Sequence, residues 1–302
     1  MISLSLWIAM AAVAPASPPP AFQAESILVT PGWLSERMKR PGLVIFEVGE
    51  KEGYDAGHIP GAQFITLRDI SAPRENGKLA LELPSVERLD SVLEARGISD
   101  DSYIVVYFGK DWVSPTTRVF LTLEYAGLRG RVSVLDGGLP AWQAQGLPVS
   151  AELPVITRGS FTPRLRPDVV VDAAYVSTNL DNPDVAVVDA RDAGFYLDTL
   201  NAEMPRGGRI RGAASIPFGS VVDGDNRLKS PEALRAIFTA AGATSGNTVV
   251  SYCHIGQQGT LVFFAARLLG YDVRLYDGSF QDWSARPDLP VEGWKGAPAG
   301  SQ

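Results

Sequence analysis

At 302 residues the chain is too long for one domain of ordinary size and has room for two of about 100–150 residues each. Apolar residues make up 45% of it, with six tryptophans and twelve phenylalanines, enough to fill two cores and to exclude a disordered chain. The 34 acidic against 27 basic residues give a formal charge of -7, and no basic block exceeds a pair, which excludes an extended nucleic-acid surface but leaves room for a local cationic pocket.

Residues 1–24 run apolar and then turn to Ala, Ser and Pro, the pattern of an export leader, although no Lys or Arg precedes the apolar run. The expected location is therefore periplasmic or secreted, with an uncleaved membrane anchor or a cytoplasmic chain as alternatives. Every later apolar run is broken by charge or glycine before about 18 residues, so no stable membrane insertion is expected once the leader is gone.

A first domain is predicted over 25–153. Its strand Leu43–Glu47 leads to Gly57-His58-Ile59-Pro60-Gly61-Ala62. A helix over Pro84–Ala95 follows, with Ser85 as N-cap, then a strand over Ile104–Phe108, a helix over Thr116–Tyr125, and the turn Asp136-Gly137-Gly138 before Trp142. Residues 154–167, rich in Pro and Arg and without periodicity, read as a linker.

The second domain, 168–295, repeats the first. Val185–Asp189 leads to Gly208-Arg209-Ile210-Arg211-Gly212-Ala213. Ser230 precedes a helix over Pro231–Ala240, Thr248–Tyr252 matches the strand ending at Phe108, and Asp277-Gly278 precedes Trp283. The β-branched runs carry no polar alternation, as expected of parallel strands covered on both faces, so each unit reads as α/β. Trp142 and Trp283 read as core plugs, and His58, matched by Arg209, reads as a structural histidine.

Cys253 is the sole cysteine, which rules out both an intramolecular disulfide and Cys-Xaa-Xaa-Cys exchange. It stands between the strand Thr248–Tyr252 and a helix expected from Gly259, at the strand end where α/β sheets bind ligands. Amides at a helix start favour a thiolate there. The loop His254-Ile255-Gly256-Gln257-Gln258-Gly259 has two glycines that permit a cradle of N–H groups around the sulfur.

Together the Gly-His-Ile-Pro-Gly-Ala motif at 57–62, the strand-cysteine-loop-helix run at 248–269 and Leu-Tyr-Asp-Gly-Ser-Phe-Gln-Asp-Trp at 275–283 resemble the tandem-domain rhodanese family of sulfurtransferases. The resemblance implies two rhodanese-like domains, each a mostly parallel sheet with helices on both faces. Only the second would be catalytic, since Phe108 stands where Cys253 does. It further implies transfer of a sulfane sulfur from thiosulfate or a related small anionic donor to cyanide or a thiol, a protein thiol included, through a persulfide on Cys253, with neither cofactor nor metal.

Asp189 and Arg191 match the family's Val-Asp-Ala-Arg at the pocket edge. Arg191 is read either as Asp189's ion-pair partner or as a contact for the anionic donor; Asp277 is read as a turn organiser. Three positions depart from the family. His254 and Ile255 replace the cations that follow the cysteine in thiosulfate-type members, Ile255 also stands where mercaptopyruvate-type members have serine, and Phe195 replaces an arginine. Arg206, Arg209 and Arg211 would compensate if their loop folds over the pocket. Gly259, six positions after the cysteine, lacks the arginine a cysteine phosphatase needs. A non-enzymatic persulfide carrier is the remaining alternative.

Overall fold

In the computed structural model, residues 26–75, 79–110, 112–200, 203–244 and 246–293 are described; the leader expected at 1–24 lies outside them. The β-branched runs line up as two parallel sheets with the same topology. The first holds β1 (Leu28–Val29), β2 (Leu43–Val48), β3 (Gln63–Ile65), β4 (Tyr103–Phe108) and β5 (Val132–Leu135) in the order β1-β5-β4-β2-β3. The second holds β6 (Val170–Val171), β7 (Val185–Asp189), β9 (Ala214–Ser215), β10 (Thr248–Tyr252) and β11 (Asp272–Tyr276) in the order β6-β11-β10-β7-β9. The short strands β8 (Arg209–Ile210) and β12 (Val291–Glu292) pair antiparallel beside it. The internal repeat extends to register: Glu47 lies opposite Tyr107, and Asp189 opposite Tyr252.

Alternate residues of each strand feed opposite layers. In the first domain Ile45 and Val105 pack with Leu34 and Trp142 on one face, while Phe46 and Val106 pack with Leu89 and Phe120 on the other. Trp142 and Trp283 are buried, and each indole N–H donates to a proline carbonyl, Pro148 and Pro290. The expected N-caps form: Ser85 Oγ accepts from the Arg88 amide and Ser230 Oγ from the Ala233 amide, each at 3.3 Å.

One apolar cluster runs through both domains. At its centre the helices Val113–Leu123 and Gly259–Leu268 meet, with the rings of Phe120 and Phe264 edge to face at 4.8 Å. Polar bonds cross the same seam. Thr117 Oγ1 lies 2.8 Å from Thr260 Oγ1, and Arg267 pairs with buried Glu124 at 3.5 Å. Asp136 of the first domain accepts from the Leu228 amide of the second at 3.1 Å, and Asp277 of the second accepts from the Leu83 amide of the first at 3.3 Å.

The segment read as a linker is strapped to the first domain. Gly159 donates to Glu94 O at 2.8 Å, Arg158 pairs with Glu94, and Phe161 is buried. A Cβ on Gly159 would stand 2.0 Å from Ile98 O, so only glycine allows that approach.

Candidate active site

Cys253 follows the last residue of β10 and is 1% exposed. Its main chain is tied to the helix Ser279–Ala285: the Cys253 amide donates to Ser279 Oγ at 3.2 Å, and its carbonyl accepts from the Phe280 amide at 2.9 Å. His254 O accepts from the Gln281 amide at 2.9 Å. Ser279 in turn donates to Tyr276 O at 2.9 Å and sits at φ +52°, a left-handed conformation that turns its hydroxyl back to the cysteine.

Past the cysteine, the amides of residues 254–258 donate to no protein group among the described residues. Gly256 takes φ +78°, which reverses the chain. Its carbonyl points away into the domain seam and accepts from Arg118 Nη1 at 3.0 Å. The helix then begins at Gly259, where a Cβ would approach Leu275 Cδ1 at 3.1 Å. The loop between the buried cysteine and the helix start thus holds five amides without a protein acceptor, an arrangement that favours negative charge nearby.

Arg118 is fully buried although it comes from the first domain. Besides Gly256 O it reaches Asp277 Oδ1 at 2.5 Å and the Leu81 carbonyl. Asp277, expected to organise its own turn, instead spends both carboxylate oxygens across the seam, on Arg118 and on the Leu83 amide.

Asp189 and Arg191 are both buried and face each other through Nε and Nη2, the latter at 2.6 Å. Arg191 Nη2 also donates to Gly208 O at 2.7 Å, and its guanidinium carbon stands 4.1 Å from the Phe280 ring centroid. Burial works against the guanidinium's charge, but the Asp189 carboxylate more than offsets it, and the group is held above its ordinary pKa. Arg191 thus braces the floor beneath Cys253 through Nε and Nη2. Tyr252 donates to Asp189 Oδ2 at 2.7 Å and completes this floor.

The three arginines expected to replace the missing cations are committed elsewhere. Arg206 donates to the carbonyls of Trp283, Ser284 and Leu289, Arg209 lies over the Tyr196 ring and pairs with Glu292, and Arg211 pairs with Asp181. His254 packs edge to face with Phe195, ring centroids 4.5 Å apart. Burial, aided by the charge of Arg191, lowers its pKa to about 4, so it supplies no cation at neutral pH. His58 is buried with its ring nitrogens 2.8 Å from Tyr54 O and 3.1 Å from Glu152 O, a structural role.

Cationic groups lie instead on the first domain. Arg68, Arg74 and Arg88 line a cavity of about 600 Å³ together with Ile255 and Gln257 of the loop. Gln257 is held toward the first domain by its 3.3 Å bond to Ser114 Oγ. Nothing local in the sequence marks these arginines, because only the docking of the domains sets them facing the loop.

Residues 30–145 and 172–286 each match the model of the rhodanese-like domain. The chain belongs to the rhodanese family. It is 33% identical to thiosulfate sulfurtransferase of Bos taurus over 287 residues, covering 88% of this chain and 94% of that one. It is 31% identical to sulfur carrier protein TtuD of Thermus thermophilus over 285 residues, covering 88% and 96%. The solved structure of SseA from Escherichia coli, a 3-mercaptopyruvate sulfotransferase, superposes with a TM-score of 0.75 at 26% identity, covering 84% of this chain and 98% of that one. At the level of the family, this rhodanese is a sulfurtransferase enzyme.

Proposed function

We propose that this rhodanese moves a sulfane sulfur from thiosulfate or a related small anion to cyanide or a thiol through a persulfide on Cys253. The Cys253 thiolate attacks the donor's outer sulfur, the S–S bond breaks with its electron pair leaving on sulfite, and the persulfide's outer sulfur is then taken by the acceptor, restoring the thiolate. The observation that carries this reading is the set of five amides without protein acceptors at 254–258, in the loop directly after Cys253, donors available to thiolate and persulfide alike. Arg68 and Arg74 supply the positive field for an anionic donor that the residues next to the cysteine lack, while Arg88 is tied to the Ser71 and Arg68 carbonyls. Asp189 and Arg191 support the floor, and Arg209 stands aside from the chemistry.

A second reading, a persulfide carrier that hands sulfur to a protein partner, draws on Ile255, which lines the same cavity with Ala72, Pro73 and Leu81. Export under the leader at 1–24 is part of the first reading and is tested by fractionation.

The deciding measurement is intact mass after exposure to excess thiosulfate, then removal of the donor and addition of cyanide. A gain of one sulfur by the native chain but not by Cys253→Ala, then its loss with stoichiometric thiocyanate, is the expected result. Loading without repeated turnover supports the carrier, and loading from mercaptopyruvate alone changes the donor.

A further inference from the structure

The two domains have the same pocket floor with different contents. In the second, the Arg191 guanidinium touches three groups: the Asp189 carboxylate, the Gly208 carbonyl and the Phe280 ring. The repeat places Glu47, Gly57 and Leu139 at those positions in the first domain, with Gly49 in place of Arg191. The correspondence extends to the supporting hydroxyl. Tyr107 donates to Glu47 Oε2 at 2.5 Å and accepts from the Ile59 amide, as Tyr252 does with Asp189 and the Ile210 amide.

Where the guanidinium lies in the second domain, the first has a cavity of about 490 Å³, and Glu47, Gly57 and Leu139 all line it. Glu47 is 1% exposed, and among the described residues its carboxylate pairs with no Lys or Arg and only the Tyr107 hydroxyl donates to it. Burial accordingly raises its pKa. Glu50 and Glu52 line the same cavity, opposed by Lys110 alone among cations. A buried carboxylate is costly without a full set of partners, and this one stands at the position where its counterpart in the second domain receives a guanidinium.

We propose that this cavity binds a small organic cation with a guanidinium or amidinium head, its N–H groups on Glu47 and the Gly57 carbonyl and its plane against Leu139. The site is separate from Cys253 and independent of the sulfur donor. The remaining volume accommodates a substituent on the head group.

Gly49 provides a decisive variant. A Cβ there would meet only Gly109 N at 3.6 Å and Gly109 Cα at 3.9 Å, ordinary contacts with a residue that lines the cavity, so Gly49→Arg can restore the missing side chain beside it and compete for Glu47. The experiment is calorimetric titration of the full chain with methylguanidinium chloride, with tetramethylammonium chloride as the ionic control. Saturable 1:1 binding of methylguanidinium only is expected, weakened at least about tenfold in both Gly49→Arg and Glu47→Gln while thiosulfate turnover stays intact. Absence of saturable binding, equal binding of the control, or binding that survives either variant overturns the proposal.

Discussion

Arg118 of the cysteine-free domain donates to the carbonyl of Gly256, two residues into the loop that follows the Cys253–His254 step, at 3.0 Å. That bond holds the reversed peptide at Gly256, between amides that have no protein acceptor. Replacing Arg118 with Met leaves Asp277 without its cation, and removing one partner of a buried pair costs about 3 kcal/mol. The expected outcome is a lowered melting temperature and, well below it, persulfide loading slowed roughly tenfold to a hundredfold, the scale of a misplaced catalytic frame. Stopped-flow loading checks this, and a double-mutant cycle with Asp277→Asn separates the clamp from the ion pair.

The burial of Cys253 sets what can reach it. A sulfur 1% exposed beneath its loop should react with small alkylating agents such as iodoacetamide and far more slowly with bulky aromatic disulfides. Rates of thiol modification on the native and the unfolded chain measure the difference. Equal rates for both reagents on the native chain would refute the buried position.

His254 should remain neutral through the physiological range. Its pKa falls from 6.5 unfolded to about 4 folded, so between these values the unfolded chain binds the extra proton and stability declines as pH falls. The contribution is fully present above about 6.5 and is lost on acidification toward 4. Ring resonances of His254 should show no protonation at pH 5.5, and His254→Asn should flatten the pH dependence of the melting temperature in that window.

If the cavity beside Ile255 gathers the donor, Arg68→Gln combined with Arg74→Gln should raise KM for thiosulfate severalfold with little change in kcat. Added salt should raise KM in the native chain and do so less in the double variant. Steady-state kinetics at two ionic strengths decides.

What the sequence made legible is what neighbouring residues determine. The Asp-Gly turns, the Ser85 and Ser230 caps and the β-branched strands are local patterns, and their order in both halves revealed the repeat. The glycines around Cys253 likewise announced a curled loop. Contacts made only by docking were beyond reach: Arg118 and Gly256 lie 138 positions apart, and no periodicity joins them. For the same cause the cations nearest in sequence, Arg206, Arg209 and Arg211, are not those facing the loop: their partners are carbonyls, Glu292 and Asp181. The pairing of Arg191 with Asp189 was one of two roles legible in the sequence, and the buried pair is present. The 154–167 stretch looked like a free tether because its ties to Glu94 and Ile98 depend on a helix and loop about 60 residues upstream.

Asp136 and Asp277 each satisfy a backbone amide that belongs to the other half. A gene for either half alone would therefore encode a seam with a bare amide, an idle carboxylate and the apolar ring of Phe120 or Phe264 facing water. Duplication has left the copies mutually obligate. The half without a cysteine is held in the molecule by what its sister draws from it.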